Sequence, residues 1–181
     1  RANERDLMIR LMEGIEDIPE AVLAEGLPCA WESFPEYLDW LSTRHYDLDL
    51  LAQLPHSALR VYVMGERAAD GHATADDLQR MRALTRQAVE AGAIGVSTSR
   101  FHFHRTKAGE LAPSLHSPDA ELLELAGGLR DAGKGVFQLI PRVDEDAAGG
   151  HRRGRRLERS RSGGGGRPPG PRSGDRGLRS P

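Results

Sequence analysis

The sequence predicts an α/β fold in which helices cover a parallel sheet. Short apolar runs alternate with amphipathic helical patterns along the chain. Two helix-to-strand junctions resemble each other, EAGAIGV at residues 90–96 and DAGKGV at residues 131–136. The segments between the apolar runs are long enough for helical crossovers, which parallel strands require. These observations leave two architectures open, a barrel and an open doubly wound sheet.

The first predicted elements are a helix, a strand and a loop. The pattern Ser33-x-x-Glu36 is a capping box that begins a helix ending near Arg44. The run YDLDLLAQL, residues 46–54, alternates and predicts an extended strand. We interpret the polar run LPHSALR, residues 54–60, as a loop that leaves the carboxyl end of this strand.

The same pattern repeats downstream. A capping box at Thr74-x-x-Asp77 begins one helix, and Ser117 with Pro118 begins the next. Glycines end both helices, and each is followed by a short apolar strand. The predicted helix, strand, helix and strand occupy residues 74–92, 93–99, 117–133 and 135–140. Neither G-x-G-x-x-G nor G-x-x-x-x-G-K-[ST] occurs, so nothing in the sequence supports a nucleotide-binding sheet.

Composition narrows the class of protein. The chain has 181 residues, 38% of them hydrophobic, which is enough for one domain with a core. Cys29 is the single cysteine, which excludes a disulfide framework and predicts a reducing, cytoplasmic compartment. No apolar run approaches the length of a membrane span. The opening RANERD has no signal-peptide pattern and no Met, so we expect an incomplete chain.

The charge of the chain is strongly asymmetric. Residues 151–181 carry ten Arg against Glu158 and Asp175, a net charge of +8, and residues 1–150 carry −10 of the total of −2. We predict a folded domain over residues 1–148 and a disordered Arg/Gly/Pro-rich tail over residues 149–181.

Two origins of this tail can be distinguished. The chain uses Arg 23 times and Lys twice, which is typical of GC-rich coding, and the tail has the composition of GC-rich DNA translated out of frame. We therefore predict a frameshift shortly after Ile140. The alternative is an acidic α/β body with an RNA-binding tail, since Arg- and Gly-rich segments bind phosphates. We do not expect nucleic acid as a partner, because no aromatic residue is interleaved with the arginines.

The motif His102-Phe103-His104 follows the predicted strand at residues 93–99. On a strand, residues i and i+2 point the same way, so two imidazoles could line one edge of a metal site. A zinc site needs at least a third protein ligand, and the neighbouring sequence offers no clear one. We interpret the motif as a strand-end loop with solvated imidazoles.

Three segments resemble a known family: WESFPEYLDWL, LPHSALRVYVMGERAA and AGAIGVSTSRFHFHRTKAGELAP. Together they are similar to the D-aminoacylase, or N-acyl-D-amino-acid deacylase, branch of the amidohydrolase superfamily over most of residues 7–140. The resemblance implies a partial (β/α)8 TIM barrel with about three of its eight βα units. It also implies a zinc-dependent hydrolase whose partner is a small-molecule N-acyl-D-amino acid, cleaved by a metal-bound water.

The resemblance assigns no metal ligand and no catalytic residue to this chain. The family places its first His-x-His motif and a ligating Cys before the region matched here, and its other His ligands and catalytic Asp after it. We therefore expect the chain alone to bind no zinc and to be inactive. We also expect it to be prone to aggregation, because about three βα units leave sheet edges and apolar helix faces exposed.

The resemblance implies that the loop after the strand at residues 93–99 lies on the active-site side. Its polar side chains are candidates for lining the substrate pocket: Ser97, Ser99, His102, His104 and Arg105. His104-Arg105 matches the family pattern best. His102 replaces a substrate-contacting Tyr of the family, so it bears on acyl or side-chain preference.

Two further candidates come from the LPHSALR segment. His56 either contacts substrate, as the family pattern implies, or is a histidine hydrogen-bonded in a buried loop. Arg60 either binds a substrate carboxylate bidentately or pairs with Glu66 on the surface, and we favour the surface pair.

Other conspicuous residues are interpreted as structural. The aromatic residues of the first helix region have helix-like spacing, which favours packing over ligand stacking: Trp31, Phe34, Tyr37 and Trp40. Cys29 is interpreted as an inert or semi-exposed thiol. Four helix carboxylates are interpreted as charges that complement helix dipoles and not as an acid/base pair: Asp76, Asp77, Glu121 and Glu124.

Overall fold

The computed structural model describes residues 2–69, 71–106 and 108–142. The described part contains six α-helices, two short 3-10 helices and three β-strands. The α-helices are α1 (Ala2–Glu16), α2 (Glu20–Gly26), α3 (Phe34–Ser42), α4 (His56–Met64), α5 (Ala75–Ala91) and α6 (Asp119–Ala132). The strands are β1 (Gln53–Pro55), β2 (Gly95–Ser99) and β3 (Val136–Ile140), and the 3-10 helices are Gly65–Ala68 and Pro113–His116.

The three strands form one parallel sheet in the order β1-β2-β3. Leu54 lies opposite Val96, which in turn lies opposite Phe137, so β2 is the central strand. Helices connect the strands, as parallel neighbours require. The prediction of an α/β fold with a parallel sheet is confirmed.

The predicted helix starts are observed for α3 and α5. Ser33 and Glu36 form a reciprocal capping box at the start of α3, and Thr74 and Asp77 form another at α5. Pro118 precedes α6, and Gly133 ends it in the left-handed conformation with φ 68°. Side-chain capping thus fixes two of the boundaries that the sequence predicts.

The predicted strand at residues 46–54 is mostly wrong, since only residues 53–55 form β1. Alternation alone does not make a strand, and the observed pairing covers only the end of this run, where the Ala52 carbonyl accepts from the Ile94 N–H and Gln53 lies opposite Gly95. Upstream, Leu48 and Leu51 are 79% and 76% exposed, so their apolar side chains contact no core.

The loop predicted for residues 54–60 is also wrong, because α4 begins at His56 directly after β1. Leu59, Val61 and Val63 are buried on this helix, and this burial stabilises a helix that has no side-chain cap. The polar residues His56 and Ser57 led to the loop prediction, although the residues that follow them form the apolar face of a helix. The helices α1 and α2 were not predicted either.

The hydrophobic core lies on one face of the sheet. Leu54 and Val96 point into it, and Phe137 packs against it. The helices contribute buried side chains to the same cluster: Leu59, Val61, Met81, Val89, Leu125 and Leu129. This cluster positions the first turns of α4 and α6 beside the carboxyl ends of the strands.

The opposite face of the sheet is open and more polar. By the period-2 alternation of β-strands, it carries Gln53, Ser97 and Ser99, which are half-buried, and Gln138, which is exposed. Val136 on this face is 58% exposed. The sheet therefore has one face packed against helices and one that is accessible.

Residues 143–181 lie outside the described residues. The domain boundary at 148/149, the disorder of the tail and the frameshift therefore stay predictions. Among the helices that the structure describes, none has both the length and the apolar character needed to cross a bilayer.

Gly128 tests the packing of α5 against α6. A Cβ at Gly128 would lie 2.7 Å from the Arg82 carbonyl oxygen and 2.8 Å from Thr85 Cβ. We expect G128A to lower the free energy of unfolding by about 1–3 kcal/mol, because the two helices must separate. A Cβ added at Gly26, which is also helical, would meet no atom within 4 Å, so G26A is the matched control. Urea unfolding followed by circular dichroism measures both; equal effects of the two substitutions would contradict the close packing.

Candidate functional site

A buried polar cluster lies at the carboxyl edge of the sheet. It consists of His56, Arg60, Thr98 and Glu121, whose exposed fractions are 1%, 0%, 6% and 0%. His56 and Arg60 are on α4, which starts where β1 ends. Thr98 is near the end of β2, and Glu121 is in the first turn of α6. The parallel topology brings these elements together, because strand ends and the following helix starts share one edge.

The Glu121 carboxylate is the centre of this buried polar cluster. Its Oε1 lies 2.6 Å from His56 Nε2, and its Oε2 accepts a hydrogen bond from Arg60 Nη1 at 2.5 Å. His56 Nδ1 lies 2.7 Å from Thr98 Oγ1. Arg60 Nη2 also donates to the Gly71 carbonyl oxygen at 2.8 Å. One carboxylate thus connects α4 and α6 directly, and β2 through His56.

The electrostatics of the cluster define its protonation. Burial lowers the pKa of the His56 imidazole, and this effect exceeds the opposing influence of Glu121. Burial alone would raise the pKa of Glu121, but hydrogen bonds from His56 and Arg60 hold it below its ordinary value. His56 is therefore neutral and Glu121 ionised at neutral pH. Since a carboxylate only accepts, His56 Nε2 carries the proton and Nδ1 accepts from the Thr98 hydroxyl.

Glu121 lies in the first turn of α6, as its interpretation as a helix-dipole charge requires, but sequence reasoning missed its buried partners. The carboxylate is buried and paired with two side chains. A signal existed in the sequence, because Glu121 lies four and eight residues before the buried Leu125 and Leu129. This spacing places it on the inward stripe of α6. A charge on an apolar stripe indicates a buried partner.

The favoured interpretation of Arg60 is also wrong. Arg60 does not pair with Glu66 on the surface, because its side chain is fully buried against Glu121, whereas Glu66 is exposed. Leu59 and Val61 flank it on a helix that packs into the core. Because α4 packs into the core, the Arg60 guanidinium is buried, and the Glu121 carboxylate balances its charge.

The loop after β2 closes on itself. The chain turns at once, with the His104 N–H donating to the Phe101 carbonyl at 3.0 Å, so the two histidines do not continue the strand. Arg105 Nε donates to the His102 carbonyl and its Nη1 to the Gly109 carbonyl, both at 3.0 Å. The Arg105 guanidinium therefore stabilises the loop backbone.

The imidazoles of this loop are half-buried and contact aromatic rings. His104 meets Phe101 edge-on at 5.4 Å, and the rings of His102 and Phe103 are 4.3 Å apart. The expected solvated imidazoles are thus partly covered by phenylalanines. Phe103 itself is 53% exposed, which gives the loop an apolar tip.

The structure divides the sequence-predicted site residues into groups. His56 and Arg60 come together in the buried cluster, on the packed side of the sheet. Ser97 and Ser99 alternate with Thr98 along β2 and lie on its open face. The loop residues His102, His104 and Arg105 form the third group. The substrate-binding roles of these residues stay predictions.

The described residues do not supply a metal site. They contain no group of three or more His, Cys, Asp or Glu side chains placed to hold an ion. The Glu121 carboxylate and the His56 Nε2 are already hydrogen-bonded to each other. The residues present therefore do not fit the zinc implied by the resemblance, and we derive no chemical step through it.

The remaining conspicuous residues have structural contacts. The Trp31 ring lies 4.7 Å from Trp40 and 5.1 Å from Tyr37, in line with aromatic packing. Asp77 pairs with Arg67 and closes the capping box, which lowers the pKa of its carboxyl to about 2. The Cys29 thiol is free and exposed.

Comparison with known proteins assigns the family. Residues 2–159 match the model of the Amidohydrolase family, and the chain belongs to that family. A D-aminoacylase from Alcaligenes xylosoxydans xylosoxydans is 34% identical over 121 residues, which cover 66% of this chain. The matched part is 22% of that relative's length. No solved structure matches. The resemblance to the D-aminoacylase branch is confirmed.

The buried imidazole predicts a loss of stability in mild acid. The unfolded state protonates His56 near its ordinary pKa of 6.5, whereas the folded state resists protonation, so stability falls as the pH drops below that value. The Glu121 contribution is lost only below about 4.5. We expect the free energy of unfolding to fall between pH 7.5 and 5.5, by at most about 1.4 kcal/mol per pH unit from His56.

Urea unfolding at a series of pH values measures this loss. H56Q should be less stable at pH 7.5 but should show a flatter pH dependence, whereas H72Q, at an exposed histidine, should retain the original slope. An unchanged slope in H56Q would show that the imidazole is not the group responsible.

Proposed function

We propose that this chain is part of a metal-dependent amidohydrolase that cleaves the amide bond of N-acyl-D-amino acids. The observation that carries the proposal is the 34% identity to a D-aminoacylase over 121 residues. In this proposal the chain contributes one wall of a barrel and a substrate-facing loop. The reactive centre is completed by residues other than those described, and the chain alone is inactive.

The topology of the sheet supports a partial (β/α)8 TIM barrel. The strand order follows the chain order β1-β2-β3, and all neighbours are parallel. Right-handed crossovers in one direction place the connecting helices on one face of the sheet. A doubly wound sheet reverses direction and covers both faces. A barrel instead turns its second face inward, which agrees with the open face that carries Ser97 and Ser99.

The polar end of β2 suits an amide substrate. Ser97 and Ser99 place two hydroxyls at the carboxyl end of the strand, where barrel enzymes bind their substrates. Hydroxyls both donate and accept, so they can orient a carboxylate or an amide group. In this proposal the exposed Phe103 and the neighbouring His102 contact the acyl chain or the amino-acid side chain.

Zinc is part of this proposal through the family. When bound, the metal would lower the pKa of a water and polarise the substrate carbonyl. Its ligands are assigned outside the described residues, because both oxygens of Glu121 already bind His56 and Arg60. The single cysteine, Cys29, supports a cytoplasmic location.

A chimera tests the proposed function. The 121-residue segment of the Alcaligenes D-aminoacylase would be replaced by the matching segment of this chain, and hydrolysis of N-acetyl-D-leucine and N-acetyl-L-leucine measured with zinc present. We expect hydrolysis of the D substrate by the chimera and none by the isolated chain. Removing both hydroxyls in S97A/S99A should raise the KM about tenfold or more, since each lost hydrogen bond is worth about 1 kcal/mol.

Two controls make the result decisive. Circular dichroism and zinc content establish that the chimera is folded and loaded. A Q87A chimera serves as the control, since the exposed Gln87 side chain on α5 lies outside the sheet and its loop. A folded, zinc-loaded chimera that hydrolyses neither substrate, or prefers the L substrate, would refute the proposal.

A further inference from the structure

We propose that Glu121 is a positioning residue, whose carboxylate holds His56 as the Nε2–H tautomer so that His56 Nδ1 binds the Thr98 hydroxyl and fixes the end of β2. The hydrogen-bond chain is a property of these residues alone. Its consequence for substrate placement rests on the proposed function.

The geometry supports a directed chain of hydrogen bonds. The two contacts of the imidazole, 2.6 Å to Glu121 and 2.7 Å to Thr98, use both of its ring nitrogens. Each tautomer would satisfy Thr98, because a hydroxyl can donate or accept. Only the Nε2–H tautomer satisfies an ionised carboxylate. Glu121 therefore determines the tautomer of His56, and the Thr98 hydroxyl donates to the unprotonated Nδ1.

Arg60 keeps Glu121 in the required charge state. Its guanidinium binds the second carboxylate oxygen, so both oxygens of Glu121 are occupied inside the protein. A buried ion pair is weak evidence for stability, because desolvation of the two charges offsets their attraction. Its presence in a core that apolar residues could fill favours a role in arranging the groups that it contacts.

The end of β2 is the element that this chain of contacts fixes. Thr98 points behind the sheet to His56, whereas Ser97 and Ser99 point to the open face on either side of it. Fixing the Thr98 side chain therefore fixes the strand backbone that carries both neighbouring serines. Ser114 Oγ adds a hydrogen bond to the Ser99 carbonyl at 3.0 Å, which secures the same strand end.

Nitrogen-15 NMR of the full chain at pH 7.5 tests the assignment of the tautomer. We expect His56 to show a protonated Nε2 and an unprotonated Nδ1. E121Q removes the charge and can also donate to Nε2, so a mixture of tautomers should appear. E124Q is the matched control: it removes the same charge from the same helix, where Glu124 binds Arg82 near the surface, and should leave the His56 signals unchanged.

Hydrogen exchange of the same variants tests the fixing of the strand. Amide exchange at residues 97–99 should increase roughly tenfold or more in E121Q and remain unchanged in E124Q. If E121Q does not fold, T98V provides the test, because Glu121 still binds His56 in the T98V variant. T98V should therefore keep the Nε2–H tautomer while exchange at residues 97–99 increases.

Several outcomes would overturn the proposal. They are an Nδ1–H tautomer in the unmodified chain, an unchanged tautomer in folded E121Q, a switched tautomer in T98V, or no change in exchange at residues 97–99 in either variant. The NMR measurement requires no hydrolysis, so its result is independent of whether the chimera is active. In an active chimera, E121Q should raise the KM for the D substrate more than E124Q does.

Discussion

The ion pair between Glu121 and Arg60 is the interaction on which the carboxyl edge of the sheet depends. Both side chains are fully buried, so each charge is tolerable only because the other is present. Removing one partner of such a pair typically costs about 3–5 kcal/mol, because the remaining charge has no water to solvate it. The pair joins α4 to α6, and the bond from Glu121 to His56 extends the connection to Thr98 on β2. Three elements separated in sequence therefore share one electrostatic constraint.

This electrostatic constraint acts at the edge of a sheet that is packed against helices on one face only. The apolar residues of the strands and helices form a cluster on one face, and the polar cluster lies at its edge. The other face exposes Val136 and carries the half-buried serines of β2. A sheet that is packed on one face only leaves apolar surface in contact with water, which lowers its stability relative to a closed barrel. Burying polar residues at the packed edge and leaving serines on the open face separates the structural from the accessible groups.

The sequence predicted those features that depend on local chemistry. Reciprocal capping at Ser33 and Thr74 and the left-handed glycine at 133 are decided within a few residues, so their patterns were sufficient. The prediction of a strand at residues 46–54 was mostly wrong because the extent of β1 depends on hydrogen bonds to β2, which is distant in sequence. Helix α4 was not predicted because it is stabilised by burial of its apolar residues and has no side-chain cap that the sequence could show. Glu121 was recognisable as a stripe position, but its partners, 61 and 65 residues away, were not.

The division between the two faces explains how family membership is compatible with the chemistry of these residues. His56, Arg60 and Glu121 are the most conspicuous titratable group among the described residues, yet each is sealed from solvent and already hydrogen-bonded. A substrate cannot reach them without opening α4 from α6. In the proposed function their contribution is therefore indirect, through the strand end that they contact. The open face instead carries the half-buried hydroxyls of Ser97 and Ser99, and the loop beyond them carries the imidazoles of His102 and His104. In the proposed function this surface would bind and orient the substrate, and the bond-breaking chemistry would come from residues other than those described.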